Sequence, residues 1–335
     1  MSRARAAFYR RHGSLEQALE VGDWDIGALA PGEVRVAVEA TPVHFGDLLY
    51  IEGRLANAPP PPAVCGSEGI GRVLELGPGV ETLRVGQRVF LPRKSGTWIE
   101  QVRVAAERLA PAPEHGDPLQ LALVPVNVLT AYLLVTRVVS LAPGEWLLQN
   151  AANSSCGRFV IGIARALGLR TVNVVRREAL VADLLACGAD AVLLDGDDLP
   201  ERVAAATGGA PLRFAIDAVA GAATTRLARC LDTHGTVAVY GLMSQQPCEV
   251  PADLLFLRDL RLQGYFMPHY ERGLSLAERH ALLWQLGERV ARGELAAKIA
   301  ATYRLDEVRE ACRHELLTGG ERDGKIILLP NAARA

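Results

Sequence analysis

Aromatic residues make up only 5% of the chain, so its interior must be filled mainly by Ala, Leu and Val. The six cysteines, Cys65, Cys156, Cys187, Cys230, Cys248 and Cys312, are all isolated, and the nearest two are 18 residues apart. Without a CxxC or CxxxC pair, a zinc knuckle of the usual spacing is excluded and a disulfide framework is disfavoured. Scattered thiols fit a reducing compartment. No apolar run reaches the ~18 residues that a membrane-spanning helix needs. Net charge is lacking as well: 36 Lys and Arg against 38 Asp and Glu leave −2, which gives no electrostatic ground for nucleic acid or an anionic membrane as partner. The opening MSRARAAFYRRHG is basic but has no apolar h-region, so no cleaved secretory signal is expected, and the expected location is cytoplasmic.

What is present is ample apolar material, 50% of 335 residues, with 22% charged. At roughly 150 residues per domain the length suggests about two domains. The first hundred residues hold short alternating runs, such as Glu33–Ala40, Gly69–Glu75 and Gln87–Leu91, separated by Gly and Pro. This is the texture of an irregular β domain. Four consecutive prolines, Pro59 to Pro62, must form an extended surface loop, because proline cannot donate to a sheet ladder. Near residue 120 the texture changes. Six apolar runs, 146–149, 172–175, 191–194, 214–218, 236–240 and 261–265, alternate with helical stretches. That pattern predicts a doubly wound parallel sheet. The last 65 residues are expected to hold one amphipathic helix, Ser275 to Arg292, and a final strand, Lys325 to Leu329.

The segment from Leu147 reads LLQNAANSSCGRFVIGIARAL, a strand, a turn of small residues and a helix. This is the setting of a dinucleotide-binding turn, where small side chains let the backbone approach a pyrophosphate at a helix N-terminus. The three glycine positions of that fingerprint are Ala151, Ser154 and Gly157, so only one is glycine. The turn residues expected to line the pyrophosphate are Ala151, Ser154, Cys156 and Gly157. The second strand ends in Val174-Val175-Arg176-Arg177. An NAD enzyme places a carboxylate there for the ribose 2′-hydroxyl, and a carboxylate would repel a 2′-phosphate. Arg176 and Arg177 instead offer forked donors for that phosphate, so the cofactor read from the residues is NADPH.

With these features the chain resembles the zinc-independent branch of the medium-chain dehydrogenase/reductase superfamily, and more narrowly the trans-2-enoyl thioester reductases. The residues that carry the resemblance are Asp47 with Glu52-Gly53, AVCGSEG from Ala63, Gly96-Thr97-Trp98, and Val126-Asn127 with Leu129 to Tyr132. Others are Gln149 to Ala151, RTVNVVRR from Arg170, Tyr240-Gly241, LLFLRDLRLQG from Leu254, and Gly324 to Leu328. The resemblance implies an α/β fold with a GroES-like β domain at 1–121 and a doubly wound parallel Rossmann domain at 122–268. A C-terminal return to the catalytic domain follows at 269–335. It places Asn127 and Thr130 at the carboxamide or ribose, Asn173 near the adenosine ribose, and Gly241, Met243, Tyr265, Phe266 and Met267 along the nicotinamide half. A homodimer built through the Rossmann sheet edge is likewise implied.

Zinc-dependent relatives have a Cys in the segment matching Val43 to Asp47 and a His before the Glu of a Gly-His-Glu triplet. Here those places hold His44 and Ser67, the triplet is Gly66-Ser67-Glu68, and no metal is expected. The implied reaction is NADPH-dependent reduction of the C=C bond of an α,β-unsaturated carbonyl, a 2-enoyl thioester. The alternatives are a quinone or enone acceptor, or a non-catalytic NADPH-binding sensor. The family's proton-donating Tyr, two residues after the Gly matching Gly53, is replaced by Leu55. Tyr50 is the nearby phenol that could stand in as the acid.

Overall fold

The computed structural model describes residues 2–318 and 320–332. The chain divides into two compact units, Met1–Leu129 with Leu274–Ala335, and Thr130–Gly273.

In the first unit the organising element is the strand Glu33–Pro42. It alternates from Glu33 to Ala40: Val34, Val36, Val38 and Ala40 are fully buried, while Glu33, Arg35, Ala37 and Glu39 are half-exposed. Burial of each Val contributes about 1.5–3 kcal/mol, so a slip of one residue, which would turn all of them outward, is strongly disfavoured. This strand pairs antiparallel with Gly69–Leu76, with Gln101–Ala105 and with the last strand, Lys325–Leu329. A smaller sheet joins Leu19–Asp25, Arg3–Tyr9 and Ala63–Val64. The proline run is an exposed loop leading into Ala63, with Tyr9 Oη donating to the Pro59 carbonyl at 2.6 Å.

The end of the chain corrects the sequence expectation. Besides the helix Leu276–Ala291 and the strand Lys325–Leu329, it holds the strand Ile299–Arg304 and the helix Val308–Leu316. Ile299–Arg304 is an edge strand with no fully buried position, so it has no clean apolar alternation. The helix turns Val308, Ala311, Cys312 and Glu315 inward, an i, i+3, i+4, i+7 stripe. Two small residues and a carboxylate give that stripe almost no hydrophobic signal.

The second unit carries six parallel strands, Trp146–Gln149, Arg170–Val175, Ala191–Leu194, Leu212–Asp217, Thr236–Val239 and Arg261–Gly264. Their spatial order is third, second, first, fourth, fifth, sixth. The order reverses between Trp146–Gln149 and Leu212–Asp217, and ligands of such sheets bind beyond the carboxyl ends at that switch. The helix Ser155–Ala166 buries Phe159, Val160, Ile161 and Ile163. Among the described residues no helix is long and apolar enough to cross a membrane.

Candidate active site

The turn expected to hold a pyrophosphate is built at the switch point of the second unit. Ser154 caps the helix Ser155–Ala166, its Oγ accepting from Gly157 N at 3.1 Å. A Cβ on Gly157 would stand 2.6 Å from the Ala152 carbonyl oxygen and 2.8 Å from Ala152 Cα, all immovable backbone. Only glycine therefore lets the helix start this close to the turn. Ala151 adopts φ +46°, a left-handed conformation that glycine would adopt without strain. Cys156 is buried and faces Tyr240, whose side chain also meets Ser154. Burial pushes the Cys156 thiol up to about 12 and the Tyr240 phenol well above its ordinary value. The four turn residues anticipated from the sequence thus stand together, and Tyr240 joins them from the fifth strand.

Behind the turn lies a knot of buried polar groups that sequence reasoning missed. Asp217, fully buried at the end of the fourth strand, accepts from Asn150 Nδ2 at 2.6 Å and Thr224 Oγ1 at 2.6 Å. It also accepts from Val219 N at 2.8 Å and Ala220 N at 3.0 Å. Asn150 Oδ1 accepts from Ala218 N at 2.8 Å. The knot ties the two strands on either side of the switch.

Arg176 and Arg177 follow the second strand, Arg176 exposed and Arg177 half-buried. Neither guanidinium has a hydrogen-bond or ion-pair partner among the described residues. Some other arginines of this unit are neutralised in place. Arg226 is bidentate to Asp195 at 2.6 and 2.7 Å, and Arg158 pairs with Asp183.

Asn173 corrects an expectation. It is fully buried in the middle of the second strand, with Nδ2 donating to Thr171 Oγ1 at 2.9 Å and to the Ala191 carbonyl at 3.0 Å. Its Oδ1 accepts from Gln149 Nε2 at 2.7 Å. Every side-chain polar atom is engaged inside the sheet, which clips neighbouring strands together and leaves no free donor or acceptor for a ribose.

Thr130, Tyr265 and Met267 come together. Tyr265 Oη donates to the Thr130 carbonyl at 3.4 Å, and Thr130 Oγ1 to Met267 Sδ at 3.3 Å. Tyr265 stacks on Tyr270, and its burial, then the neighbouring Cys156 and Glu271, raises its phenol above the ordinary value. Phe266 is 42% exposed and meets His269 edge-on. At the end of the fifth strand, a Cβ on Gly241 would lie 2.5 Å from the Ala218 carbonyl oxygen, and Met243 N donates to that same oxygen at 3.2 Å. The Met243 side chain is exposed.

The first unit holds an acid-rich cluster. Glu68, fully buried, accepts from Val126 N at 2.5 Å and from Asn127 Nδ2 at 2.9 Å, and its Oε1 lies 2.7 Å from His44 Nε2. A π-helical turn at Val124–Val128 presents the Val126 and Asn127 donors together. Asn127 is thereby held by Glu68. Burial raises the Glu68 carboxyl to about 8, against the pull of these donors, and burial holds His44 neutral, well below its ordinary value. Among the described residues no group of three His, Cys, Asp or Glu side chains is arranged to hold a metal.

The helix Phe45–Glu52 begins with Asp47 Oδ2 accepting from His44 N at 3.0 Å and ends at Gly53, φ +72°. It places Asp47 and Tyr50, three residues apart, on one face. Both line a cavity of about 300 Å³ together with Ser67, Lys94, Pro59 and Gly96. Ser67 Oγ donates to Asp47 Oδ1. Lys94 Nζ lies 5.0 Å from the Tyr50 ring centroid and donates to the Asn57 carbonyl at 2.6 Å. Burial and then the Asp47 charge raise the Tyr50 phenol. Leu55 sits in the turn after the helix and is not among the lining residues. The sequence signal for Asp47 was its spacing to Tyr50, legible only once a helix is placed there.

A parallel sheet with a glycine-locked phosphate turn, joined to a β unit built around Glu33–Pro42, defines a medium-chain dehydrogenase/reductase. The family model of the alcohol dehydrogenase GroES-like domain matches residues 30–114, and that of the zinc-binding dehydrogenases matches residues 156–279. The mitochondrial enoyl-[acyl-carrier-protein] reductase of Xenopus tropicalis is 33% identical over 317 residues, 92% of this chain and 91% of the relative. The human one is 32% identical over 327 residues, 92% and 85%. Among solved structures, one from Bacillus thuringiensis assigned as an NADPH:quinone reductase aligns with TM-score 0.90 and 27% identity over 98% of this chain and 99% of that one. A mitochondrial 2-enoyl thioester reductase heterodimer from Candida tropicalis shares the fold, with TM-score 0.87 and 23% identity over 98% and 100%. The chain belongs to the enoyl-[acyl-carrier-protein] reductase family of the medium-chain superfamily. One expectation is overturned: the Xenopus and human relatives are mitochondrial by name, so the cytoplasmic assignment does not stand. That assignment rested on the missing h-region and the scattered thiols, and neither distinguishes the cytoplasm from an organelle interior.

Proposed function

We propose that this chain reduces the C=C bond of an α,β-unsaturated carbonyl with NADPH, and that the acceptor is a 2-enoyl thioester. The observation that carries the cofactor half is the unpartnered Arg176–Arg177 pair beside a turn that no side chain larger than glycine's could occupy at position 157. These residues fit a phosphorylated dinucleotide: Ser154, Gly157 and Ala151 would hold the pyrophosphate, and the arginine pair the 2′-phosphate. Thr130, Tyr265, Phe266 and Met267, with Gly241 and Met243, would border the nicotinamide half. A bound NADPH supplies hydride to the acceptor's β-carbon. The protein must then stabilise charge on the carbonyl oxygen and protonate the α-carbon. The enoyl reductases at 32–33% identity support the thioester as acceptor.

We further propose that the reaction runs without zinc. His44 Nε2 is engaged by Glu68, and Ser67 Oγ by Asp47, so the chain puts an imidazole and a hydroxyl already in use where zinc-dependent relatives present ligands. The expected result is NADPH oxidation with crotonyl-CoA that persists after chelation. Turnover of a 1,4-quinone alone would move the assignment to the quinone reductases, a reading that Leu55 and the Bacillus likeness favour. Cofactor binding without turnover of either acceptor would identify a sensor.

A homodimer is proposed through the sixth strand, Arg261–Gly264, which ends the parallel sheet and pairs on one side only among the described residues. Beside it, Phe256 and Leu257 are each 72% exposed and Leu262 is 43% exposed. An apolar patch on an open strand edge is a pairing surface. Light scattering should give twice 35.9 kDa, and a Leu257→Asp, Leu262→Lys variant should run as a monomer. A monomeric parent protein would refute the edge pairing.

A further inference from the structure

We propose that Ser67, backed by the Asp47 carboxyl, delivers the proton that completes the reduction, in place of the phenol the family carries where this chain has Leu55. The proposal rests on the enoyl or enone reductase reading above. Leucine has no proton to give, so another group that faces the acceptor must supply it. In the first unit the cavity wall brings together Asp47, Tyr50 and Ser67. Of these, only Ser67 has both an exchangeable proton and a direct hydrogen bond to a buried acid.

The position of Ser67 is fixed to an unusual degree. Gly66 precedes it at φ +98°, where a Cβ would stand 2.4 Å from the Trp98 ring and 2.8 Å from Trp98 N. The following carbonyl, that of Glu68, accepts from Thr41 Oγ1 at 2.7 Å and Thr97 Oγ1 at 2.8 Å. The Ser67 carbonyl accepts from Lys94 N at 3.0 Å. A hydroxyl on so restrained a backbone needs little reorganisation to meet a reacting carbon. Its partner is equally held: Asp47 is 2% exposed, and its other oxygen accepts from His44 N at 3.0 Å. Burial lifts the Asp47 carboxyl to about 6, which leaves it a protonated fraction that an exposed aspartate lacks near neutral pH.

The step balances as follows. Hydride addition places a C–H bond at the β-carbon and moves the π pair toward the carbonyl as an enolate. The enolate pair then takes the Ser67 Oγ proton to form the α-C–H bond. In the acid form of Asp47 the Oδ1–Oγ hydrogen bond runs the other way, the carboxyl donating to Ser67 Oγ, so Asp47 passes its proton to Oγ as the enolate takes the Ser67 proton and no alkoxide is left. Asp47 ends as carboxylate, and solvent entering the cavity returns its proton. General-acid steps of this kind contribute about 100-fold or more.

The test compares Ser67→Ala, Ser67→Thr, Asp47→Asn and Tyr50→Phe with the parent, using crotonyl-CoA, or the 1,4-quinone should that be the acceptor turned over. Ser67→Ala is expected to lower kcat about 100-fold with KM and NADPH Kd within threefold of the parent. Its solvent deuterium isotope effect should rise as protonation becomes rate-limiting. Ser67→Thr keeps the hydroxyl and is expected to restore most of kcat. Asp47→Asn should reproduce the Ser67→Ala defect. Thermal melts and fluorescence titration of NADPH confirm that each variant is folded and loaded. Ser67→Ala with kcat within threefold of the parent, a loss confined to KM, or Ser67→Thr as impaired as Ser67→Ala while folded would each overturn the proposal. So would a Tyr50→Phe defect larger than that of Ser67→Ala, which would assign the proton to the phenol. Failure of the parent protein to turn over any acceptor would instead refute the reductase reading itself.

Discussion

Replacing Arg176 and Arg177 together by Ala is expected to raise the KM for NADPH by 100-fold or more and to leave that for NADH within about twofold. Each charge-assisted hydrogen bond to phosphate is worth about 1.5–3 kcal/mol. Two lost together come to ~3–6 kcal/mol, and every 1.4 kcal/mol is tenfold in an equilibrium constant. The size of the effect follows from the absence of competition. Neither guanidinium has a partner among the described residues, so neither must break an ion pair to receive a phosphate. The carboxylate that ends the third strand, Asp195, is already neutralised by Arg226. Steady-state kinetics with both cofactors decides the matter, and an equal rise in both would show that the pair serves the fold and not the 2′-phosphate.

The second large effect is on stability. Asp217→Ala should destabilise the protein by about 3–5 kcal/mol, because it removes the common acceptor of two backbone N–H groups, the Asn150 amide and the Thr224 hydroxyl. Apart from Val219, these donors sit on buried residues. At roughly 2–4 °C per kcal/mol for a unit of this size, the melting temperature should fall by ~10 °C. Asp217→Asn retains an acceptor oxygen but offers N–H to another N–H, so its loss should be smaller, not absent. A melt within 2 °C of the parent for Asp217→Ala would mean that water replaces the carboxylate at no cost.

Much of the parallel sheet was legible because its signals are local. Most of its six strands are short apolar runs, and Gly168 and Gly188 mark helix ends with left-handed φ. The turn that opens the helix Ser155–Ala166 was legible from its small residues, although only Gly157 matches the glycine fingerprint. What escaped was non-local. Asn173 reads as a polar residue at a strand end facing a ligand, yet its neighbours in space, Gln149 and Thr171, consume it inside the sheet. The helix Phe45–Glu52 was not anticipated, so the Asp47–Tyr50 face was invisible, as was the junction of that face with Ser67, which lies 20 residues on. The helix Val308–Leu316 was hidden by the smallness of Ala311 and Cys312. Hydrophobic periodicity reports elements that bury large side chains and is silent on those that bury small or polar ones.

The arginine pair and its phosphate turn draw all their supports from Thr130–Gly273, while Asp47, Tyr50, Ser67 and the cavity they line draw theirs from the other unit and a different hydrophobic cluster. Substitutions at the arginine pair therefore leave the cluster around the Asp47–Ser67 cavity unrepacked, and that cavity can be reshaped without disturbing the cluster beneath the turn. Such separability lets a lineage diversify its chemistry one half at a time.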